Sequence, residues 1–418
     1  MGDREALSIE EATECLFDYR GRTPPKTSCG ARLITAKVIK DGRILDEPAE
    51  FIAAEFYDEW MRRGLPRKND VLITTEAPLG EVAILRDAEK VALAQRVILL
   101  RARPRVVDPH YLFYALQSEF ARGELAARAS GTTVLGIRQS ELRQVRIPYR
   151  PLPVQRRIAG ILSAYDDLIE NNLRRIRIQE EMARALYREW FVDFHFPVHA
   201  SVSRVDSPLG QIPQGWDGTM GDSATIARMN VMPADFPDEE FDHFSIPAFD
   251  ETQLPAIETG ATILSGKYVV DSSCTLLSKL NPRIPRVWLP YPSGVRRAIA
   301  STEFIVLRPV RPISREFLFL HCCSTDFVGR FASHALGTST SHQRVKPDDL
   351  LSMPTIIPSE EVMREFTRTV SPMLDFAHGL RTQNLALRRT RDLLLPRLLS
   401  GQLAPATASW KRLSDRRV

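Results

Sequence analysis

The sequence predicts two mixed α/β (α+β) domains, copies of one another, separated by two long antiparallel coiled-coil-like helices. Three observations predict this. The 418 residues exceed what one ordinary core holds. An ordered set of motifs is written twice, about 210 positions apart. Each copy ends in a stretch of 3–4 apolar spacing, long enough for a helix of about 55 Å at 1.5 Å per residue.

The repeat is read motif by motif. VALAQRVILLRARP from Val91 faces RAIASTEFIVLRPV from Arg297, and HYLFYAL (His110–Leu116) faces EFLFLHC (Glu316–Cys322). Gly131-Thr132-Thr133 answers Gly337-Thr338-Ser339 at a separation of 206, and Asn172-Leu173 answers Asn384-Leu385 at 212. Order and spacing are kept together, and a period near 210 is far too long for a solenoid, so the repeating unit is a domain with its helix. The repeat is faint over Met1–Arg63 and Gly218–Gly260.

Within each copy the elements follow one grammar. In the first, ARLITAKVI, DVLITT and RVILLRA read as strands, broken by Thr23-Pro24-Pro25, Asp41-Gly42 and Pro78-Leu79-Gly80. In the second, KYVV, RVWL and EFIVLRP do the same, broken by Asn281-Pro282 and Pro292-Ser293-Gly294. YLFYALQSEFARGELAARA and FLFLHCCSTDFVGRFASHA each read as one helix. The long helices carry apolar stripes at 158, 161, 162, 165, 168, 169, 173, 176, 186 and 190, and at Val362, Phe366, Val370, Met373, Ala377, Leu380, Leu387, Leu394 and Leu398. Pro372 and Pro396 are expected to kink or interrupt the second helix. Two such stripes are most cheaply buried against each other, antiparallel. The boundaries follow as a first domain over 1–150, a long helix in 151–196, a second domain over 197–357, a second long helix in 358–403, and a flexible basic tail over 404–418.

Composition narrows the function. Hydrophobic residues at 44% and charged residues at 26% describe a globular chain, and no run approaches the ~18 apolar residues of a membrane span. Met1–Cys15 carries acids among its apolar residues, so no export leader is expected. Five irregularly spaced cysteines fit a reducing cytoplasm. The net charge of +4 only weakly favours a polyanion, but 47 of the 56 basic residues are Arg and nine are Lys. Arg suits phosphates and the guanine edge, although a GC-rich coding sequence produces the same bias.

Motifs for chemistry are missing. No NPPY or DPPY stands ready to handle a flipped adenine, and no Gly-x-Gly loop for a nucleotide cofactor. GATILSGK (Gly260–Lys267) has five residues between its glycines and Tyr268 after its lysine, which departs from a phosphate loop. His321, Cys322, Cys323, His334 and His342 lack metal-ligand spacing and read as packed core. No cluster of nuclease carboxylates with a Lys is present. No catalytic residue, metal or cofactor is therefore expected on this chain.

Two long segments resemble a known family. Gly131–Pro197, containing LPVQRRIAGILSAYDDLIE and LYREWFVDF, resembles the central region of Type I restriction-modification specificity subunits. Gly337–Leu403 resembles their terminal region. PLGQIPQGW (Pro208–Trp216), SKLNPRIPRVWLP (Ser278–Pro290), GRTPPK (Gly21–Lys26) and DVLITTEAPLGEVAIL (Asp70–Leu85) resemble parts of their target-recognition domains. The resemblance implies two such domains at opposite ends of the helix pair, in pseudo-twofold relation, each reading half of a split, asymmetric double-stranded DNA site. It implies docking of two modification subunits, which methylate adenine N6 with S-adenosylmethionine, and of two restriction (motor-nuclease) subunits that use ATP and Mg. Reading heads ~35–50 Å apart would span about 10–15 base pairs at ~3.4 Å each.

DNA-contact candidates are loop residues with forks or small polar groups: Arg22, Thr23, Lys26, Lys37 and Arg138 in the first domain, and Lys279, Asn281, Arg283, Arg286, Ser339, Ser341, His342, Gln343 and Arg344 in the second. Most are expected to meet phosphates rather than bases. Partner-docking candidates on the helices are Arg174, Arg175, Arg177, Glu180, Glu181, Arg188, Trp190, Arg388, Arg389 and Arg391, against the plainer possibility that the pair only packs on itself. Asn172 and Asn384, near the stripes, are placed to set register. A scaffold whose α/β heads bind protein, and a divergent DNA methyltransferase, remain as rivals.

Overall fold

The computed structural model describes residues 5–19, 23–87, 90–131, 133–197, 199–335 and 343–403. The chain divides into two compact units, Met1–Leu168 with Leu387–Val418, and Ile169–Ala386. Each holds one mixed domain and a stretch of both long helices.

In the first unit the core sheet is antiparallel, in the order Thr13–Asp18, Val97–Ala102, Val71–Thr75, Leu79–Ile84. VLITT and VILLRA are rich in β-branched and apolar residues, and Val71–Thr75 is buried at every position, as a central strand covered on both faces requires. A second sheet runs Phe51–Ile52, Ala31–Ile34, Val91–Leu93, its last two strands parallel. The second unit repeats the plan: Ala224–Ala227, Phe304–Pro309, Thr275–Ser278, Val287–Trp288 take the same antiparallel order. Its second sheet contains the same trio, Ala256–Thr259, Glu240–Phe244 and Arg297–Ala300, again with the last pair parallel. Lys267–Val269 and Asn230–Val231 extend it to five strands. The repeat therefore reaches into the segments where the sequence similarity is faint.

Smaller devices recur as well. A one-turn helix opens each domain through a capping box, Ser8 with Glu11 and Thr219 with Asp222. The expected single helix after the core sheet is two in both copies, Pro109–Leu116 and Glu119–Arg128, then Arg315–Cys323 and Thr325–Ser333. Ser118 and Ser324 explain this correction: each side chain accepts from a backbone N–H of the next turn, Ala121 or Phe327, and so starts a new helix.

The long helices are Leu152–Phe191 and Glu360–Ser400. The expected interruption at Pro372 and Pro396 does not occur; the second helix runs through both. Both prolines are exposed, and so are Arg368 and Asp392, whose carbonyls lose their intrahelical donors to the missing proline N–H. In the second unit Trp190 lies 5.7 Å from Phe366 between ring centroids, while Ile176 packs with Ala377 and Leu380. Numbers rise on one helix as they fall on the other, so the two run antiparallel there. In the first unit Ile158, Ala159 and Leu162 join Leu398 and Leu399 in the domain core.

Candidate nucleic-acid interface and helix pair

In the first domain the strand Val71–Thr75 ends at a junction with the segment that follows the helix Glu119–Arg128. The Thr75 N–H donates to the Arg96 carbonyl (3.0 Å), the Ile137 N–H donates to the Thr75 carbonyl (3.0 Å), and Glu76 bridges to Gly136. Around it opens a concavity of ≈ 480 Å³ lined by Glu76, Gln95, Arg96, Ser130, Val134 and Arg138 among others. Arg96 pairs with Glu76 at 3.3 Å, and both side chains are nearly half exposed. Arg138 caps the helix Gln139–Gln144 with its backbone only, so its exposed guanidinium is left without a partner among the described residues. Thr23 reaches this site through its hydroxyl, 3.4 Å from Gln95 Oε1.

The second domain builds the same junction from other residues. The Lys279 N–H donates to the Glu303 carbonyl (3.0 Å), the Val345 N–H donates to the Lys279 carbonyl (3.2 Å), and Leu280 bridges to Arg344. Two candidate clusters that are distant in sequence, Lys279–Arg286 and Gln343–Arg344, thus meet, and the Asn281 N–H donates to the Gln343 carbonyl at 2.9 Å. Asn281 holds φ at 50°, a left-handed turn that Asn tolerates, with Pro282 buried behind it. Arg344 grips Glu303 through two 3.0 Å hydrogen bonds, which raises the affinity of its guanidinium for its proton. Lys346 caps the helix Pro347–Leu351 as Arg138 does in the first domain, with backbone alone.

The helix pair is held by charges and amides as well as by its stripes. In the first unit Arg391 donates to Asp166 (2.6 Å), which also accepts from the Tyr114 hydroxyl (2.5 Å). Burial opposes the Arg391 charge, but Asp166 outweighs it and keeps the group more basic than usual. In the second unit Arg381 pairs with Glu180, and the buried Asn172 Nδ2 donates to Asn384 Oδ1 (2.9 Å) and Gln383 Oε1 (3.0 Å). Asn172 Oδ1 finds no donor.

With this geometry in place, similarity to known proteins can be read. Residues 17–179 match the family described as Type I restriction modification DNA specificity domain. The chain is 25% identical over 346 residues to the Type I restriction enzyme MjaIX specificity subunit of Methanocaldococcus jannaschii, covering 80% of this chain and 78% of that protein. The MjaVIII specificity subunit of the same organism is 23% identical over 217 residues, 52% of this chain and 44% of that one. The crystal structure of a Type I restriction-modification system S subunit from M. genitalium shares the fold, with a TM-score of 0.58 at 17% identity over 95% of this chain and 97% of that one. Residues 17–179 thus match a Type I DNA specificity domain, and most of the chain is similar to a Type I specificity subunit.

Several of the expected site residues stand differently in the structure. Arg22, Ser339, Ser341 and His342 lie outside the described residues. Arg286 is withdrawn from the DNA candidates: its side chain is 13% exposed and clamped on Asp250 by bonds of 2.7 and 2.9 Å. Lys26 pairs with Glu50 at 2.7 Å but stays half exposed, while Lys37 and Arg283 are exposed. Trp190 is withdrawn from the docking candidates, because it is buried among Phe191 and Phe366. Arg391 and Glu180 are engaged in holding the helix pair. Arg388 is half-buried beside Arg43, and burial followed by that repulsion lowers its pKa. Arg174, Arg175, Arg177, Glu181, Arg188 and Arg389 remain exposed, with Arg175 lying over the half-exposed Phe376 ring at 4.8 Å.

The sequence reading missed Glu76, Gln95, Arg96, Glu303 and Lys346. Lys346 had a signal, since Val345 and Ile137 stand at equivalent places in the repeat and Arg138 follows the latter. The others emerge only from strand register. Gly260–Lys267 has a structural use: a Cβ at Gly260 would sit 2.1 Å from the Phe236 carbonyl oxygen, and the buried Lys267 amine donates to Ser265. His321 and Cys322 are core residues, and no group of three or more potential metal ligands occurs among the described residues.

Proposed function

We propose that this chain is the specificity subunit of a Type I restriction-modification enzyme, binding duplex DNA directly, one domain to each half of a split, asymmetric site, and catalysing nothing itself. The observation that carries the reading is the doubled junction: one backbone frame, built twice, dressed with different charged side chains. A reader of two unlike half-sites needs that combination of shared frame and altered surface. The charged rims supply the donors that phosphate contacts require, and most of those contacts position the protein rather than read sequence.

The exposed faces of the two long helices, around Arg174, Arg175, Arg177, Arg188 and Arg389, are the surface offered to modification subunits. Those partners, and the restriction subunits that join them, would bring S-adenosylmethionine, ATP and Mg. No helix among the described residues is long and apolar enough to cross a membrane, and a cytoplasmic location accords with work on DNA.

The test is the methylome of a host carrying the modification partner with and without this chain. A split N6-methyladenine motif that disappears without the chain is expected; an unchanged methylome overturns the reading. Duplex binding by the assembled complex should fall steeply with salt, which a protein-binding scaffold would not show.

A further inference from the structure

Each domain carries one exposed acid–base pair at the same place in its frame, yet the two pairs are assembled from different positions. The backbone bonds establish the equivalences. Thr75 stands where Lys279 stands, because each donates to the strand opposite, at Arg96 and Glu303. Glu76 therefore corresponds to Leu280, Arg96 to Glu303, Gly136 to Arg344, and Arg138 to Lys346. At the first three positions the charge is gained, lost or reversed between domains. At the fourth it is positive in both.

Folding does not require the exchange. Side-chain exposures of 47% and 42% for Arg96 and Glu76, and of 45% and 28% for Arg344 and Glu303, place both pairs at the surface. Exposed pairs of this kind contribute little to stability. A charge constant in both domains suits contact with phosphate, which is the same in every sequence, whereas a charge that changes suits contact with bases, which are not.

Building on the DNA-binding reading above, we propose that Arg96 with Glu76, and Arg344 with Glu303, are the base-reading pairs of the two half-sites, while Arg138 and Lys346 hold phosphate. Each Arg offers its fork to the O6 and N7 acceptors of a guanine. Its carboxylate partner keeps the fork in plane in the free protein, and accepts from a cytosine N4 amino group once the fork turns to DNA.

The test uses the full complex with its modification partner, reading the methylated motif by sequencing. Arg344→Ala should relax one base position in one half of the motif by roughly 10- to 100-fold and leave the other half intact. Arg96→Ala should do the same to the opposite half. Glu303→Gln, a near-isosteric change, should alter the half affected by Arg344→Ala, so the proposal stays open to test if a truncation disturbs folding. Arg138→Ala and Lys346→Ala should weaken binding with the motif unchanged, each lowering the salt slope by about 1. If the parent complex yields a split motif and the Arg96 and Arg344 variants keep it base for base, or blur both halves alike, the assignment of these pairs is wrong. If the parent yields no split motif, the DNA-specificity reading itself has failed.

Discussion

The first domain backs its core sheet with three strands and the second with five, although the inner trio has the same order and the same parallel pair in both. The helix ends differ in a similar way. In the first unit aliphatic side chains, Ile158, Leu162, Leu398 and Leu399, seal the long helices to the domain. In the second, Tyr187, Trp190, Phe191, Phe317 and Phe366 form an aromatic cluster with ring centroids as close as 4.7 Å. One frame thus tolerates two solutions for its interior, provided the strand order and the pairing of the helices are kept. Cores accept such exchange when volume and patterning are conserved.

The sharpest way to break this comparison is to empty one core and watch the other. Phe366→Ala should cost about 3–5 kcal/mol and Leu162→Ala about 2–5 kcal/mol. Hydrogen exchange followed separately in Phe304–Pro309 and Val97–Ala102 should show each loss in its own unit. Equal loss in both strands from either variant would mean that the two units unfold together.

A second difference concerns acid. His321 occupies the position that Ala115 holds in the first domain, sharing hydrogen bonds with the Tyr187 hydroxyl (2.8 Å) and the Thr355 hydroxyl (3.2 Å). Burial, with Arg330 nearby, lowers its pKa from 6.5 to about 3. The folded state therefore holds His321 neutral while the unfolded chain takes up a proton below pH ~6.5. The stability tied to this group is fully present above that pH and is lost as pH falls toward 3. Between pH 6.5 and 5 the second unit should lose about 2 kcal/mol through this residue. His378, stacked on Tyr291 at 4.0 Å and lowered to about 4 by burial and by Arg381, adds in the same direction. His321→Gln should flatten the profile of the second unit over this window and leave the first unit unchanged; a profile identical to the parent would remove His321 as the cause.

The smallest effect is expected at the seam. Asn172→Leu alone leaves the Asn384 Oδ1 without its donor and should cost about 1–3 kcal/mol. Replacing both with Leu should restore stability but admit slipped pairings of the helices. Disulfide trapping with Ile176→Cys and Ala377→Cys would report this as a fall in the yield of the native cross-link. An undiminished yield in the double variant would show that the stripes alone set the register.

The sequence alone determined the doubled plan, the strands VLITT, VILLRA and FIVLRP, the two long helices and the stripes that join them. These features rest on local periodicity and on motif order, which survive along the chain whatever lies opposite. It could not show that Ser118 and Ser324 would divide a continuous apolar pattern, because a serine inside such a pattern serves equally as a tolerated interior residue or as a cap. Nor could it tell the engaged charges from the free ones. Arg391 finds Asp166 at 225 positions' remove and Arg286 turns inward to Asp250, while Arg138 and Lys346 find no partner among the described residues. A guanidinium's role depends on what the fold brings within about 3 Å of it, so only the tertiary structure decided which cations are tied up within the protein and which face solvent.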